Sequence, residues 1–222
     1  MSVFKVVEIF ESINGEGARA GQLAVFVRFA FCNLNCSYCD TKWANEENAP
    51  YTLMTTDEIY NRIKETGIKN ITLTGGEPLL REGIKELLEK IASDEFLSCE
   101  IETNGSIDLK QFCDIPNRPY FTMDYKLKSS GMEDKMLLSN FDVLEKNDVV
   151  KFVSSNREDL QKALYIIKRY DLTNRCRVYI SPVFGSINPE EIVDFMKENK
   201  LNNVNMQLQM HKIIWDPDKR GV

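Results

Sequence analysis

The chain has 222 residues, 43% hydrophobic and 28% charged, which is material for one well-buried domain, and a single globular domain over residues 1–222 is expected. Its formal net charge of -6 argues against a protein that grips nucleic acid through a basic patch. No apolar run reaches the ~18 residues a membrane helix needs, and "MSVFKVVEIF" lacks a basic region before a signal-peptide core, so a soluble, cytoplasmic protein with no membrane or nucleic-acid partner is expected.

In chain order, "VFKVVEIFES" reads as an extra strand before the first βα unit, placed at the sheet edge. Residues 25–30 form the next strand and lead directly into "FCNLNCSYCDT", where Cys32, Cys36 and Cys39 fall within eight positions. A helix is expected to start near Thr55. Residues 70–74 are a strand that runs into "TLTGGEPLL", and "REGIKELLEKIAS" follows with Ile84, Leu87, Leu88 and Ile91 on one helix face. Strands are expected at 99–103 and 120–125, no element is assigned to 127–147, and a further strand covers 148–153. "NREDLQKALYIIKRY" carries an Asn156 cap and Leu160, Ala163, Leu164 and Ile167 at helical spacing. After a strand at 177–182, "NPEEIVDFMKEN" has Asn188 as cap, Pro189 in the first turn and Glu191 at the capping-box position; a last strand covers 204–208.

Strands alternating with helices imply right-handed βα units and a mainly parallel sheet, either open and doubly wound or curled toward a barrel. The three cysteines then occupy a βα loop at the carboxyl ends of the strands, where ligands bind in such folds. A structural zinc site normally takes four protein ligands, and the chain's one histidine, His211, is remote in sequence. Three thiolates holding a four-iron cluster leave one iron open to an exogenous ligand. A three-thiol zinc site completed by His211, or plain loop cysteines, are the alternatives. Cys99, Cys113 and Cys176 are scattered and read as structural free thiols. In "TLTGGEPLL" the glycines admit a close ligand and Glu77 offers a carboxylate at a strand end.

"CNLNCSYC" and "GGEP" resemble the two signatures of the radical S-adenosylmethionine superfamily. The resemblance implies a partial, incomplete βα barrel with an extra N-terminal strand and a four-iron four-sulfur cluster on Cys32, Cys36 and Cys39. It also implies S-adenosylmethionine on the open iron, with Tyr38 near the adenine and Gly75, Gly76 and Glu77 receiving the methionine amine.

"EIFESINGEG", "VFVRFAFCNLNCSYCDT", "GGEPLL", "ETNG", "SPVFG" and "LQMHKIIW", in this order, are similar to the 7-carboxy-7-deazaguanine synthase family, and they span nearly the whole chain. What this implies is a lyase of 7-deazapurine and queuosine biosynthesis that contracts 6-carboxy-5,6,7,8-tetrahydropterin with loss of ammonia, using Mg2+. Hydrogen is abstracted from the carbon bearing the carboxylate, and 5'-deoxyadenosine returns it after rearrangement. The implied substrate pocket comprises Asn14, Glu16, Arg28, Thr74 and His211. Glu16 would accept from the pyrimidinone donors, and Arg28 would fork onto the carboxylate. Thr41 is the implied magnesium ligand, with Asp40 in support. Glu102, Asn104, Asp124, Lys126 and Ser181 are placed at successive strand ends for the S-adenosylmethionine carboxylate and ribose. Asn14 stands where the family commonly has Gln, and Asp124 where Ser is common; both keep hydrogen-bonding capacity.

An electron donor such as flavodoxin or ferredoxin is implied as a partner, and a homodimer is a further expectation. Three alternatives are an activating enzyme of the same superfamily that makes a glycyl radical on a protein, a non-enzymatic cluster or zinc protein, and an RNA-binding module. The first does not account for Glu16, Arg28 and His211 together, iron and sulfide content tests the second, and charge disfavours the third.

Overall fold

A computed structural model describes residues 2–46 and 48–222. In chain order the elements are β1 (Val3–Ile13), β2 (Leu23–Phe29), α1 (Lys42–Asn45), β3 (Thr52–Thr55), α2 (Thr56–Glu65), β4 (Asn70–Gly75), α3 (Ile84–Ala92), β5 (Ser98–Thr103) and β6 (Tyr120–Tyr125). β7 (Val149–Ser154), α4 (Arg157–Arg169), α5 (Leu172–Arg175), β8 (Arg177–Pro182), α6 (Pro189–Asn199), β9 (Val204–Met206) and α7 (His211–Ile214) complete the chain. One open sheet has the order β3-β1-β2-β4-β5-β6-β7-β8-β9. The strands from β2 onward are parallel neighbours, while β1 pairs antiparallel with both β2 and β3. This is the expected partial barrel, mainly parallel with an N-terminal addition.

The N-terminal strand is not at the edge. It is long enough to pair with β2 from Val6 to Ile13 and with β3 from Val3 to Val6, so β3 is the edge strand. "TLMT" is short and largely solvent-facing, which is why no alternation announced it. Residues 127–147 are 3-10 turns rather than long elements. Buried Asn140 organises this region by donating to the carbonyls of Gly105 (3.1 Å) and Ile107 (2.9 Å) and accepting from Leu109 N (3.0 Å).

Caps fix the helix starts. Thr55 and Glu58 form a reciprocal capping box on α2, and Asn156 accepts from Asp159 N on α4. At α6, Asn188 accepts from Glu190 N (3.1 Å) rather than completing a box with Glu191.

Alternation along the strands gives the sheet two chemically different faces. Ile71, Leu73, Ile101, Phe121, Met123, Phe152, Val178 and Ile180 join one core with Ile63, Leu87, Leu88, Leu160, Ile167 and Phe195 of the helices. Thr72, Thr74, Glu100, Thr122, Lys151 and Ser181, in the alternate register, are buried polar side chains of the concave face. Burying that many polar groups is costly unless they find partners. The concave face is therefore where the functional site is to be sought.

Candidate active site

A cavity of about 600 Å3 opens at the carboxyl ends of the strands, on the concave side. It is lined by Cys32, Cys36 and Cys39 on one wall and by Glu16, Arg28, Lys151 and His211 on the other.

The cysteine loop leaves β2 through Phe31, which holds a left-handed φ of 69°. It is tied down on its far side: Ser37 N and Oγ donate to the carbonyls of Ser130 (3.0 Å) and Ser129 (2.7 Å), and Tyr38 Oη donates to Val153 O (3.3 Å). All six cysteines are free thiols. Burial pushes the Cys32 and Cys36 thiols up. N–H groups of Leu34 and Asn104, each 3.4 Å from the Cys32 sulfur, oppose this, as does the Lys126 charge near Cys36. Donors aimed at sulfur suit metal-bound thiolates. Among the described residues no three Cys, His, Asp or Glu gather closely enough for a single ion. Three thiolates lining one cavity fit a multi-iron cluster, in which each takes a separate iron.

The glycine pair is dictated by close backbone approach. A Cβ on Gly76 would lie 1.6 Å from Phe31 O, and Gly75, at φ +115°, would meet Phe29 O at 2.4 Å. Gly76 N and Glu77 N bond the carbonyls of Phe29 (2.9 Å) and Phe31 (3.0 Å), which zips this loop to the root of the cysteine loop. Both glycines line the cavity. Glu77 does not. Its side chain is 0% exposed and accepts from Leu79 N (3.0 Å), Thr103 Oγ1 (2.9 Å) and Asn104 N (2.7 Å). The carboxylate expected at the methionine amine braces the β4 and β5 ends, and the two glycines beside it face the cavity.

At the opposite wall, Glu16 Oε2 accepts from Lys151 Nζ and from Gln209 Nε2, both at 3.2 Å, while Oε1 is buried with no partner. The Glu16 loop is held by the segment after β9: Gln207 exchanges two hydrogen bonds with Gly17, and Met210 N donates to Gly15 O (3.1 Å). His211 packs so tightly on Gly15 that a Cβ there would be 2.3 Å from Nδ1. Burial pushes the His211 imidazole toward its neutral form, against the nearby Glu16 and Asp40 charges. Arg28 gives its Nε to Glu8 (2.7 Å) and stacks near Phe10 and Trp43. Its terminal nitrogens make no hydrogen bond among the described residues and belong to a side chain that lines the cavity.

Between the two walls, Asp124 pairs with Lys126 (2.8 Å) and leaves Oδ1 buried and unpartnered. Glu102 accepts from Thr74 Oγ1 (2.6 Å). Asn104 is committed to Cys32 and to Asn33 Oδ1 (3.0 Å). Thr41 Oγ1 lies 3.5 Å from the Cys39 sulfur and makes no capping bond to α1, so its lone pairs remain available. The Asp40 side chain is half-exposed; although the surrounding protein works against its charge, Lys212, 3.5 Å away, together with His211, Lys151 and Arg28, holds the carboxyl below its ordinary range.

Tyr38, Asp40, Thr41, Thr74, Glu102, Asn104, Asp124 and Lys126 all line the cavity. Asn14 and Ser181 do not. Asn14 is buried and accepts from Thr72 Oγ1 (2.8 Å), and Ser181 is fully buried. Sequence reasoning missed Lys151, Gln209, Lys212 and Trp43, which also line it. The available signal for Lys151 was a charge in the middle of the otherwise apolar strand "VVKFV".

Comparison with known proteins places this geometry. Residues 26–198 match the radical SAM superfamily model. The chain is 62% identical over 219 residues to a 7-carboxy-7-deazaguanine synthase of Clostridium acetobutylicum, covering 99% of each chain. It is 36% identical to one of Chlorobaculum tepidum, covering 98% of this chain and 96% of that one. Among solved structures, QueE from Escherichia coli superposes with a TM-score of 0.72 at 21% identity, over 94% of this chain and 95% of that one.

Proposed function

The chain belongs to the radical SAM superfamily and, within it, to the 7-carboxy-7-deazaguanine synthase family, and on that premise we propose the reaction and the roles that follow. The protein converts 6-carboxy-5,6,7,8-tetrahydropterin to 7-carboxy-7-deazaguanine with loss of ammonia, in 7-deazapurine biosynthesis. A four-iron cluster fits Cys32, Cys36 and Cys39, and S-adenosylmethionine fits the space between Gly75, Gly76, Tyr38, Asp124 and Lys126. Bound together, they would supply a 5'-deoxyadenosyl radical for abstraction of hydrogen from the pterin carbon bearing the carboxylate.

The chain's own residues bind and orient the pterin. Glu16 Oε1, a buried acceptor with no protein donor, carries this reading, because an orphaned carboxylate oxygen costs free energy until a ligand N–H meets it. The amino and ring N–H groups of a pyrimidinone edge are such donors. The terminal nitrogens of Arg28 fork onto the substrate carboxylate while Glu8 fixes the guanidinium from behind. His211, kept toward neutral by burial, offers a ring nitrogen without adding charge. Thr41, with Asp40 nearby, offers oxygen ligands for Mg2+ shared with the substrate. Fixing both ends of the pterin holds the reacting carbon toward the cofactor side and limits the conformations open to a radical.

Electrons come from a one-electron donor of the flavodoxin or ferredoxin type. Anaerobic incubation with the carboxytetrahydropterin, S-adenosylmethionine and reductant, followed by mass analysis, tests the assignment. Product and stoichiometric ammonia are expected. Cleavage of S-adenosylmethionine without any change in the pterin would refute it.

A further inference from the structure

Lys151 lies in none of the cysteine, glycine or N-terminal motifs, yet its ammonium is buried between the two halves of the cavity, 3.2 Å from Glu16 Oε2 and 3.8 Å from Asp124 Oδ2. Resting on the pterin reading above, we propose that Lys151 is a positioning residue: it holds Glu16 ionised and aimed at the pyrimidinone donors.

The surroundings single it out. Asp124 has a second cation, Lys126, at 2.8 Å. Glu16 has no other cation within 4 Å among the described residues; its remaining partner, Gln209, is neutral. His211, from α7, is pushed toward neutrality by burial. Arg28, from β2, is engaged by Glu8, and Lys126, just after β6, by Asp124. The other groups that face this region are anionic or acidic: Glu102 and Glu100 from β5, Asp124 from β6 and Asp40 from the cysteine loop. Although burial works against its charge, these carboxylates keep Lys151 protonated, with Glu16 contributing most. Removing the ammonium would leave Glu16 dry, beside like charges and with one oxygen already orphaned, so its carboxyl would protonate at higher pH. A protonated Glu16 presents an O–H where the pterin needs an acceptor.

The test uses the cluster-loaded protein with S-adenosylmethionine and magnesium, and oxidised 6-carboxypterin as a fluorescent probe. Binding is measured between about pH 5.5 and 7.5 for the wild type, Lys151→Met, Glu16→Gln and the double variant. An opposite charge at this range moves a carboxyl by ~1–3 pH units, so Lys151→Met should bind roughly tenfold more weakly at the acid end and recover as pH rises. Added to Glu16→Gln, Lys151→Met should change binding by less than about twofold, because it acts through Glu16. Unchanged binding in Lys151→Met, a loss equal at every pH, or a loss that persists in the Glu16→Gln background would each overturn the proposal. Infrared difference spectra without ligand should show a protonated carboxyl in Lys151→Met that is absent from the double variant. That band reads the charge of Glu16 directly, so a wild type that ignores the pterin counts against the substrate assignment while Lys151 is still judged. If Lys151→Met fails to fold, Lys151→Gln carries the same comparisons with the same deciding outcomes.

Discussion

Glu77 has an expected contact with the methionine amine and an observed bracing contact between strand ends, and replacing it with glutamine separates the two roles. The side chain accepts from Leu79 N and Thr103 Oγ1 on one oxygen and from Asn104 N on the other. Burial pushes its carboxyl up, and those three donors pull it back down. An amide has one oxygen, so the better rotation of Gln keeps the first pair of bonds and turns an N–H2 toward Asn104 N–H. One hydrogen bond is lost and two donors oppose each other in a site closed to water, a cost of about 1–3 kcal/mol. In a chain of this size each kcal/mol lowers Tm by ~2–4 °C, which gives a fall of roughly 2–12 °C.

Thermal unfolding of the cluster-free protein reads that loss, and titration of S-adenosylmethionine into the reconstituted protein reads the other role. If Glu77 braces the loop, Glu77→Gln melts earlier, and its cofactor affinity falls only as far as the Gly75–Gly76 backbone is disturbed. A direct acceptor of the methionine amine would give the reverse pattern. An unchanged Tm with strongly weakened S-adenosylmethionine binding would refute the bracing argument.

Cys36→Ala should lose the cluster, seen as loss of its visible absorbance and iron content, whereas Cys99→Ala and Cys176→Ala should retain it. Arg28→Ala should weaken pterin binding by about tenfold to a hundredfold, the equivalent of one charged hydrogen bond of ~1.5–3 kcal/mol, with S-adenosylmethionine affinity nearly unchanged; equal weakening of both would indicate a damaged fold. Thr41→Ala should raise the magnesium needed for product formation and leave cofactor cleavage without substrate as in the wild type, so an unshifted magnesium curve places the ion elsewhere. Burial pushes the Glu100 carboxyl from 4.5 up to about 7, so the folded state holds this proton more tightly than the unfolded chain. Its stabilising contribution is full below pH 4.5 and is lost as pH rises through about 7, a difference of about 3 kcal/mol at ~1.4 kcal/mol per pH unit; urea midpoints of Glu100→Gln should lack this decline, and parallel curves for the two proteins would exclude it.

The parts of the fold legible in the sequence are those where local chemistry and tertiary packing agree. β6 and β8 match the expected ranges because one register of each strand is apolar against the helices, and Asn156 caps α4 because a short acceptor at that point meets a free N–H. β3 was hidden because it gains its partner only from the N-terminal strand, fifty residues earlier, with few buried side chains of its own. Glu77 and Glu16 are alike by residue type, each a carboxylate beside glycine in a loop after a strand, and the motifs that assign them different ligands do not say which oxygens are already used. Tertiary contacts separate them: Thr103 and Asn104 complete Glu77, whereas Lys151 and Gln209 satisfy one oxygen of Glu16 and leave the other open. Asn14, in the same motif, has its oxygen used by Thr72 and its amide nitrogen buried without a partner, and it does not line the cavity.

The same alternation that makes the sheet stable also determines what it lacks. Phe121 and Met123 bury their side chains in the core, and the residues between and beyond them, Thr122 and Asp124, must face the concave side. Lower on that face, Thr122, at the cavity floor, donates to Glu100, whose carboxyl burial shifts toward its protonated form and whose other oxygen is also unpartnered. At the mouth, Glu16 and Asp124 keep lysine partners and yet each retains an unpartnered oxygen. A carboxylate with one oxygen satisfied and the other free is directional, which is what recognition of a cationic or N–H-rich ligand needs. The outer core offsets the cost of holding those oxygens dry in the free protein, and ligands that supply the missing donors should then raise the stability of the fold with the logarithm of their concentration over Kd.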